Sequence, residues 1–134
     1  MKILLLHANY MEWKPTTPAL KSAEPTTKDW KRVEDCLVVM VSVEEGDTEE
    51  KLPAVVSDIR EQFQRVKPSR IVIYPWVHLS QKPSKPYVAL SLIKKLEEEL
   101  RSEGFEVYRA PFGWYKAFNL SVKGHPLAEL SRSF

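Results

Sequence analysis

Short runs of branched apolar residues alternate with two long amphipathic segments along most of this chain. The runs are KILLLH (2–7), DCLVVMVSVEE (35–45) and SRIVIYPW (69–76). Short, uninterrupted apolar runs of this kind predict buried strands. Because strands that alternate with helices form a sheet covered by helices, we expect an α/β fold with one mixed sheet and helices packed against it. The pattern leaves the order of the strands open.

The two amphipathic segments carry apolar residues at spacings of three and four, the pattern of a helix with one buried face. The first begins near Pro53, and Asp47 and Glu50 stand three apart as in a helix N-terminal capping box. The second begins at Pro86 and ends at Gly104, which suits a C-terminal cap. The apolar stripes consist of Leu52, Val55, Val56, Ile59, Phe63 and Val66 in the first helix and of Val88, Leu92, Leu96 and Leu100 in the second.

The remaining segments predict a loop, two further strands and a short helix. Residues 8–30 predict a loop or an irregular excursion, because prolines remove backbone donors. These prolines are Pro15, Pro18 and Pro25. FEVYRAP (105–111) and WYKAFNLSV (114–122) predict strands. PLAELSR, which begins at Pro126, predicts a short helix at the end of the chain.

The totals fit a single globular domain spanning residues 1–134. Apolar residues make up 43% and charged residues 28%, which excludes a disordered or fibrous chain. Twenty Lys and Arg against eighteen Asp and Glu give a net charge of +2, too balanced for composition alone to indicate a nucleic-acid binder. No apolar run approaches the roughly 20 residues that a membrane span requires, and no cleavage site follows the first run. We therefore expect a cytoplasmic protein with no membrane partner.

Several common enzyme chemistries lack their sequence patterns here. The three histidines are far apart, without the spacings that hold zinc, so we expect no metal. All four glycines are isolated, which argues against a phosphate loop or a dinucleotide fingerprint, and Gly-x-Ser-x-Gly is missing. The single cysteine, Cys36, lies in an apolar run and is interpreted as a buried strand residue. We expect no cofactor and no conventional nucleophile.

A group of chemically active residues falls near predicted strand ends. His78 follows the third strand at its carboxyl end, where α/β sheets usually bind ligands, although a lone loop histidine is more often a surface or capping group. Lys116 lies among aromatic residues, so its ammonium must meet water, a carboxylate or an anionic ligand. Glu129 follows His125 by four residues and would share its helix face. A solvated carboxylate is the simpler interpretation of Glu129, and His125 is interpreted as a helix-start residue.

Tyr115 and Lys116 are adjacent in a predicted strand, where neighbouring side chains face opposite sides of the sheet. Both can line one pocket only if the strand edge twists or if Gly113 allows a bulge.

The segments KILLLHANYMEW, YPWVHLS and APFGWYKAFNLSVKGHPLAELSR resemble the N-terminal editing domain of archaeal threonyl-tRNA synthetases. The resemblance covers nearly the whole chain, although the middle helices match mainly in pattern. It implies a fold like that of D-aminoacyl-tRNA deacylases, a homodimer, and hydrolysis of serine wrongly attached to threonine tRNA. It also implies that the chain is an N-terminal part of a longer synthetase.

The resemblance also implies roles for particular residues. Lys116 matches the family's active-site lysine and Tyr115 its neighbouring tyrosine, while Trp114 stands where the family often has another tyrosine. His78 matches the histidine of the Tyr-Pro-x-x-His-Leu-Ser segment, and Glu129 the glutamate of the C-terminal block. The expected catalytic residues are therefore Lys116, His78, Tyr115 and Glu129. The expected substrate-binding residues are Val43, Pro75, Val77, Phe112 and Gly113.

The implied partner is the 3′ end of threonine tRNA carrying serine, and the implied nucleophile is water, assisted by the 2′-hydroxyl of the terminal ribose. The Gly-Pro dipeptide that marks the D-amino-acid enzymes is absent, which favours an L-seryl substrate. A D-aminoacyl-tRNA deacylase and a non-catalytic module that binds an amino acid or tRNA remain as alternatives.

Overall fold

The computed structural model describes residues 1–134, which form six strands and two α-helices. The strands are β1 (Lys2–Pro18), β2 (Lys31–Ser42), β3 (Arg70–Pro75), β4 (Val107–Arg109), β5 (Trp114–Val122) and β6 (Glu129–Ser133). The helices are α1 (Leu52–Val66) and α2 (Pro86–Ser102), and 3-10 turns cover Glu49–Lys51 and Val77–Leu79. Both predicted helices and the strands predicted near β3, β4 and β5 are confirmed.

All six strands belong to one mixed sheet. β4, β3, β2, β1 and β5 lie side by side in that order, and β6 also pairs with β1. β2, β3 and β4 run parallel and are connected through α1 and α2. β1 runs antiparallel to β2, β5 and β6. The predicted fold class, α/β with a mixed sheet and packed helices, is confirmed.

Both helices contribute to the larger of two hydrophobic clusters, together with residues of β1, β2 and β3. Burial of a Leu, Ile or Val side chain contributes about 1.5–3 kcal/mol, so this layer is the main core. The buried helix residues are Leu52, Val55, Val56, Ile59 and Gln62 in α1 and Ala89, Leu92, Ile93, Leu96 and Leu100 in α2. Neither helix is long and apolar enough to cross a membrane.

The second hydrophobic cluster contains no residue of either α-helix. Tyr74 of β3 contacts Phe118 of β5, with ring centroids 5.4 Å apart, although β2 and β1 lie between these strands in the sheet order. Trp13 of β1 contacts the same tyrosine ring at 6.3 Å. The sheet therefore curls, so that β5 and the second half of β1 close over β2 and β3. Cys36 is fully buried in this cluster, as its sequence context predicts.

The prediction of a loop from residue 8 is wrong, because β1 continues to Pro18. Beyond Trp13, β1 pairs only with β5, so one of its edges is free. A proline is tolerated at a free edge because its missing N–H leaves no partner unsatisfied there. Pro15 and Pro18 both lie in this stretch. Only residues 19–30 form an irregular excursion.

The predicted helix from Pro126 is also wrong, because this segment forms a turn followed by β6. β6 pairs with the first residues of β1, from Lys2 opposite Ser133 to Leu6 opposite Glu129. Without β6, the outer edge of β1 would leave its backbone groups unpaired, which is costly for a strand in the core. A distant pairing partner thus overrides the local helical preference.

The first helix begins at Leu52, next to Pro53 as predicted, but the predicted capping box and the bounds of the second strand differ from expectation. Asp47 caps no helix, and its carboxylate accepts hydrogen bonds from the Met1 ammonium group, the Glu44 N–H and Lys51 Nζ. β2 begins at Lys31 rather than at residue 35, because its first residues pair with the extended part of β1.

Candidate functional site

A pocket of about 550 Å³ opens at the carboxyl ends of the parallel strands β2 and β3. Four other parts of the chain complete it: the segment after β1, the turn after β3, the start of α2 and the beginning of β5. The lining consists of residues 19–20, 41–43, 74–78, 83–84, 86, 89, 93, 112–116 and 118. Carboxyl ends of parallel strands are where α/β sheets usually bind ligands. The fold therefore places a mostly apolar pocket at the carboxyl ends of the strands, the end of the sheet where the sequence predicts ligand binding.

The strand ends supply buried side chains to this pocket. Val43 and Tyr74 are buried, and burial raises the pKa of the Tyr74 phenol, which keeps the ring neutral. Ser42 is also buried, and its hydroxyl donates a long hydrogen bond of 3.5 Å to the Val77 carbonyl. This wall can contact an apolar or aromatic ligand without presenting a charge.

Lys116 brings a cation into these surroundings. Its Nζ donates to the carbonyls of Pro111 and Trp114, at 3.0 and 3.1 Å, and lies 5.1 Å from the centre of the Tyr74 ring. Burial lowers the pKa of Lys116 to about 8, while the negative charge of Glu24 opposes that shift. The ammonium forms no salt bridge, and two of its three N–H groups are used by the two carbonyls. One donor is left for a ligand or water.

Glu24 holds the segment that carries Lys116. Its carboxylate accepts a hydrogen bond of 2.8 Å from the Phe112 N–H and forms an ion pair with Arg109. Its backbone donates to the Phe112 carbonyl and accepts from Trp114 Nε1. Burial alone would raise the pKa of Glu24, but the bonds from Arg109 and Phe112 outweigh it and lower the pKa. Arg109 is held in turn by Glu97 at 3.0 Å.

Gly113 is required in the same segment. Its φ is +86°, and a Cβ at this position would lie 2.9 Å from the Cα of Ala23. Both the backbone conformation and the close approach exclude a larger residue. The chain after β1 can therefore pack directly against this wall of the pocket.

His78 and Tyr115 lie on the more exposed parts of the pocket. His78 belongs to the turn after β3, and its ring packs edge-on against Trp76 at 5.7 Å. Tyr115 is 65% exposed. Although Tyr115 and Lys116 are adjacent, both line the pocket. The irregular pairing between β1 and β5 lies in β1 rather than at Gly113: Thr16 is an extra residue opposite the step from Lys116 to Tyr115.

Glu129 lies outside this pocket. It is an exposed residue of β6, opposite Leu6 of β1, and does not share a helix with His125. His125 lies in the turn before β6, where its Nδ1 accepts from the Leu127 N–H, so its Nε2 donates to Nδ1 of buried His7 at 2.8 Å. Burial lowers the pKa of His7. This histidine pair is not part of the pocket.

The structure brings together eight of the nine site residues predicted from the sequence, all except Glu129. Their roles stay predictions. Sequence reasoning missed Glu24, because its partner Phe112 lies 88 residues away and the surrounding proline-rich segment carries no recognisable motif. It also missed Ser42 and Tyr74, whose positions at the ends of predicted strands were the available signal.

Comparisons with known proteins agree with one another. A family model described as the archaea-specific editing domain of threonyl-tRNA synthetase matches residues 1–134. The threonine–tRNA ligase of Thermococcus gammatolerans is 48% identical over 138 aligned residues, and that of Pyrococcus horikoshii is 42% identical over 138. Each alignment covers 99% of this chain. The chain spans 22% of the length of these curated relatives.

A solved structure has the same fold at much lower sequence identity. The c-Myc DNA unwinding element binding protein superposes with a TM-score of 0.73 at 12% identity, covering 100% of this chain and 99% of the other. This likeness concerns the fold alone.

Proposed function

This chain belongs to the archaea-specific editing domain of threonyl-tRNA synthetase, and we propose that it hydrolyses the ester that joins mischarged serine to threonine tRNA. The observation that carries this proposal is the assembly of Lys116, His78 and Tyr115 around one apolar pocket. The reaction belongs to translation, so we propose a cytoplasmic location.

An editing reaction has a clear energetic reason. Serine lacks one methyl group of threonine, and a single methyl group in a synthetic pocket supplies only about 1–3 kcal/mol of discrimination. A second site that removes the wrong product is the general solution when binding alone is insufficient. The pocket at the ends of β2 and β3 would be this second site.

The pocket suits the 3′ end of a charged tRNA in size and chemistry. Its volume of about 550 Å³ is typical of sites for small molecules and nucleosides. Phe112 and Val43 offer apolar contacts, and aromatic side chains favour stacking on a base. Pro75, Val77 and Gly113 would complete the wall around the aminoacyl adenosine.

The proposed chemistry needs no protein nucleophile. A water molecule adds to the ester carbonyl, the bond between that carbon and the ribose oxygen breaks, and serine and the ribose hydroxyl are released. The remaining N–H of Lys116 would stabilise the oxygen that becomes negative, a contribution that strengthens in a partly dry site. His78 and Tyr115 would position the water or the substrate, and the 2′-hydroxyl of the terminal ribose would help to orient the water.

Threonine would be spared by the same geometry. Its extra methyl group would occupy the space that the attacking water needs, so threonyl esters would bind without being hydrolysed. Lys116 and His78 would hold the ester in a fixed position, which makes one methyl group sufficient to displace the water.

Glu129 is proposed to bind the protonated α-amino group of the seryl moiety. Because it lies outside the pocket of its own chain, it would reach the substrate from a second copy in the proposed homodimer. In a symmetric dimer each copy would then contribute Glu129 to the pocket of the other.

The direct test is to follow ester loss from threonine tRNA charged with serine or with threonine, against a control without enzyme. We expect rapid loss of the seryl ester and a stable threonyl ester. Hydrolysis of D-aminoacyl esters without hydrolysis of the L-seryl ester would indicate a D-aminoacyl-tRNA deacylase. Calorimetric binding of serine or tRNA with no hydrolysis of any ester would indicate a non-catalytic module.

A further inference from the structure

The mouth of the pocket continues onto an exposed segment, Gln81–Tyr87, that joins the turn after β3 to α2. Pro83, Ser84 and Pro86 of this segment line the pocket. Lys82 precedes Pro83, Lys85 precedes Pro86, and both lysines are exposed. Tyr87 is 71% exposed, more than any other exposed large apolar or aromatic side chain. Two cations and an aromatic ring therefore lie beside the pocket and face solvent.

This segment is held in place by the end of β2. The Glu45 N–H donates to the Lys82 carbonyl at 2.9 Å, and the Ser84 N–H donates to the Val43 carbonyl at 3.0 Å. The Ser80 hydroxyl accepts from the Lys82 N–H at 3.0 Å and donates to Glu44. The backbone that carries the two lysines is thus fixed before any ligand binds.

The charges of the two lysines are not neutralised by the protein. Neither Lys82 nor Lys85 forms a salt bridge, whereas Lys51 is paired with Asp47 and Lys95 with Glu49. The nearby carboxylate of Glu44 is already bound by Ser80 and by the Met1 ammonium group. Glu45 is exposed and forms no salt bridge. An anionic partner would meet two free ammonium groups here.

We propose that Gln81–Tyr87 binds the single-stranded nucleotides that precede the terminal adenosine of the tRNA, with Lys82 and Lys85 on phosphates and Tyr87 stacked on a base. This proposal rests on the proposed function, which places the terminal adenosine in the adjoining pocket. The preceding nucleotides must then leave through the pocket mouth.

The chemistry of the segment fits an RNA strand better than other partners. Single-stranded RNA is bound by cations that follow its phosphates and by aromatic rings that stack on its bases. The segment also leads into the amino terminus of the 17-residue helix α2, whose dipole favours a negative charge. A purely apolar protein partner would leave both lysines without a counter-charge.

The test compares two double variants that lose the same charge. In Lys82→Gln/Lys85→Gln the proposed phosphate contacts are removed. In Lys67→Gln/Lys123→Gln two cations are removed from the other end of the sheet, where Lys67 follows α1 and the Lys123 ammonium group donates to Asn9. Each protein is assayed on seryl-tRNA and on the seryl ester of adenosine, which carries no phosphate.

Each phosphate contact on a single strand contributes about 0.7 to the slope of log kcat/KM against log salt concentration, so the first variant should reduce this slope by about 1.4. Over the tenfold range from 1 M to 0.1 M salt this slope corresponds to a factor of about 25, which is the loss of kcat/KM for seryl-tRNA that we expect at 0.1 M salt. Hydrolysis of the seryl ester of adenosine should stay unchanged. The second variant should match the wild type on both substrates. Equal losses in the two variants, or a loss on the adenosine ester, would overturn the proposal.

Tyr87 is tested separately. Tyr87→Ala should weaken seryl-tRNA hydrolysis, and Tyr87→Phe should retain it, because a phenyl ring stacks on a base as well as a phenol does. A change in molecular mass of Tyr87→Ala in solution would instead identify the segment as a protein interface and would overturn the proposal.

If the wild type hydrolysed neither ester, the proposed function would fail while the segment could still be tested. Titration with a short RNA that ends in CCA would then decide, with weaker binding by Lys82→Gln/Lys85→Gln supporting the contact and equal binding overturning it.

Discussion

Polar side chains at the two ends of the parallel strands β2 and β3 differ in the partners that they bind. At the amino end, Arg70 is paired with Glu106 at 2.6 Å and Ser69 donates to Asp35 at 2.6 Å. At the carboxyl end, Lys116 donates only to backbone carbonyls and forms no salt bridge. Arg70 and Ser69 thus meet carboxylates within the chain, whereas Lys116 keeps a donor available beside an apolar pocket. A largely buried ammonium group with a free donor beside a pocket distinguishes this end as a candidate site.

The strongest test of this difference between the two strand ends is Lys116→Met. Loss of the ammonium group should reduce seryl-ester hydrolysis by about 10²–10³-fold, the usual effect of removing one donor to a developing oxyanion. The fold should persist, because the side chain pairs with no carboxylate. Activity and thermal unfolding of the same preparation provide the measurement. Turnover equal to that of the wild type would refute a central role for Lys116.

A mixing experiment tests the proposed role of Glu129 in a second copy. Lys116→Met and Glu129→Gln should each be nearly inactive alone. If every site combines Lys116 of one copy with Glu129 of the other, re-equilibrated mixtures should recover about a quarter of the wild-type activity, because half of the dimers are mixed and each has one intact site. No recovery in a mixture shown to exchange subunits would exclude the shared site.

Removing the support behind the pocket should have a smaller effect. Glu24→Ala leaves the Phe112 N–H without its partner and removes one of the two carboxylates that bind Arg109, which we expect to cost about 1–3 kcal/mol of unfolding free energy. The rate should also fall, because the Lys116 segment loses its anchor. Denaturant unfolding and kcat/KM give the two values. Glu24→Gln, which keeps an acceptor, is the control and should fall between the wild type and Glu24→Ala.

The shifted pKa of Lys116 predicts a pH dependence of stability. Its pKa is about 8 in the folded chain against an ordinary value of 10.5, so between these values the unfolded chain binds more protons and stability rises with pH. The wild type should therefore gain on the order of 2 kcal/mol relative to Lys116→Met from pH 8 to pH 10.5. Denaturant unfolding of both proteins across this range measures the difference. A constant difference would contradict the buried position of the ammonium.

The amino end of the strands should respond least. Glu106→Gln breaks an exposed ion pair with Arg70, and exposed pairs contribute little. We expect the melting temperature to change by less than about 3 °C and hydrolysis to stay unchanged. A loss of activity here would show that the two ends of the sheet are coupled and do not act separately.

Sequence patterns were sufficient where a long apolar periodicity or an apolar run marked an element. The periodicity of α1 and α2 and the apolar run of β3 predicted those elements, because burial of one face leaves a repeating trace in the residues themselves. His78 and Lys116 could be selected because each lies close to the end of a strand. Glu24 could not be selected, since its role depends on contacts with Phe112 and Arg109, far away in the chain.

The amino-acid sequence by itself determined the two helices with their buried faces, the central strands and the residues that could carry chemistry, because these properties depend on side chains and their spacing. The tertiary structure decided the partners of β1. The prolines of its second half lie in a strand because that edge is free, and residues 129–133 form β6 rather than a helix because the first half of β1 needs a backbone partner. Hydrogen bonding between distant backbone segments leaves no trace in local spacing, so only the folded chain could settle where Glu129 lies.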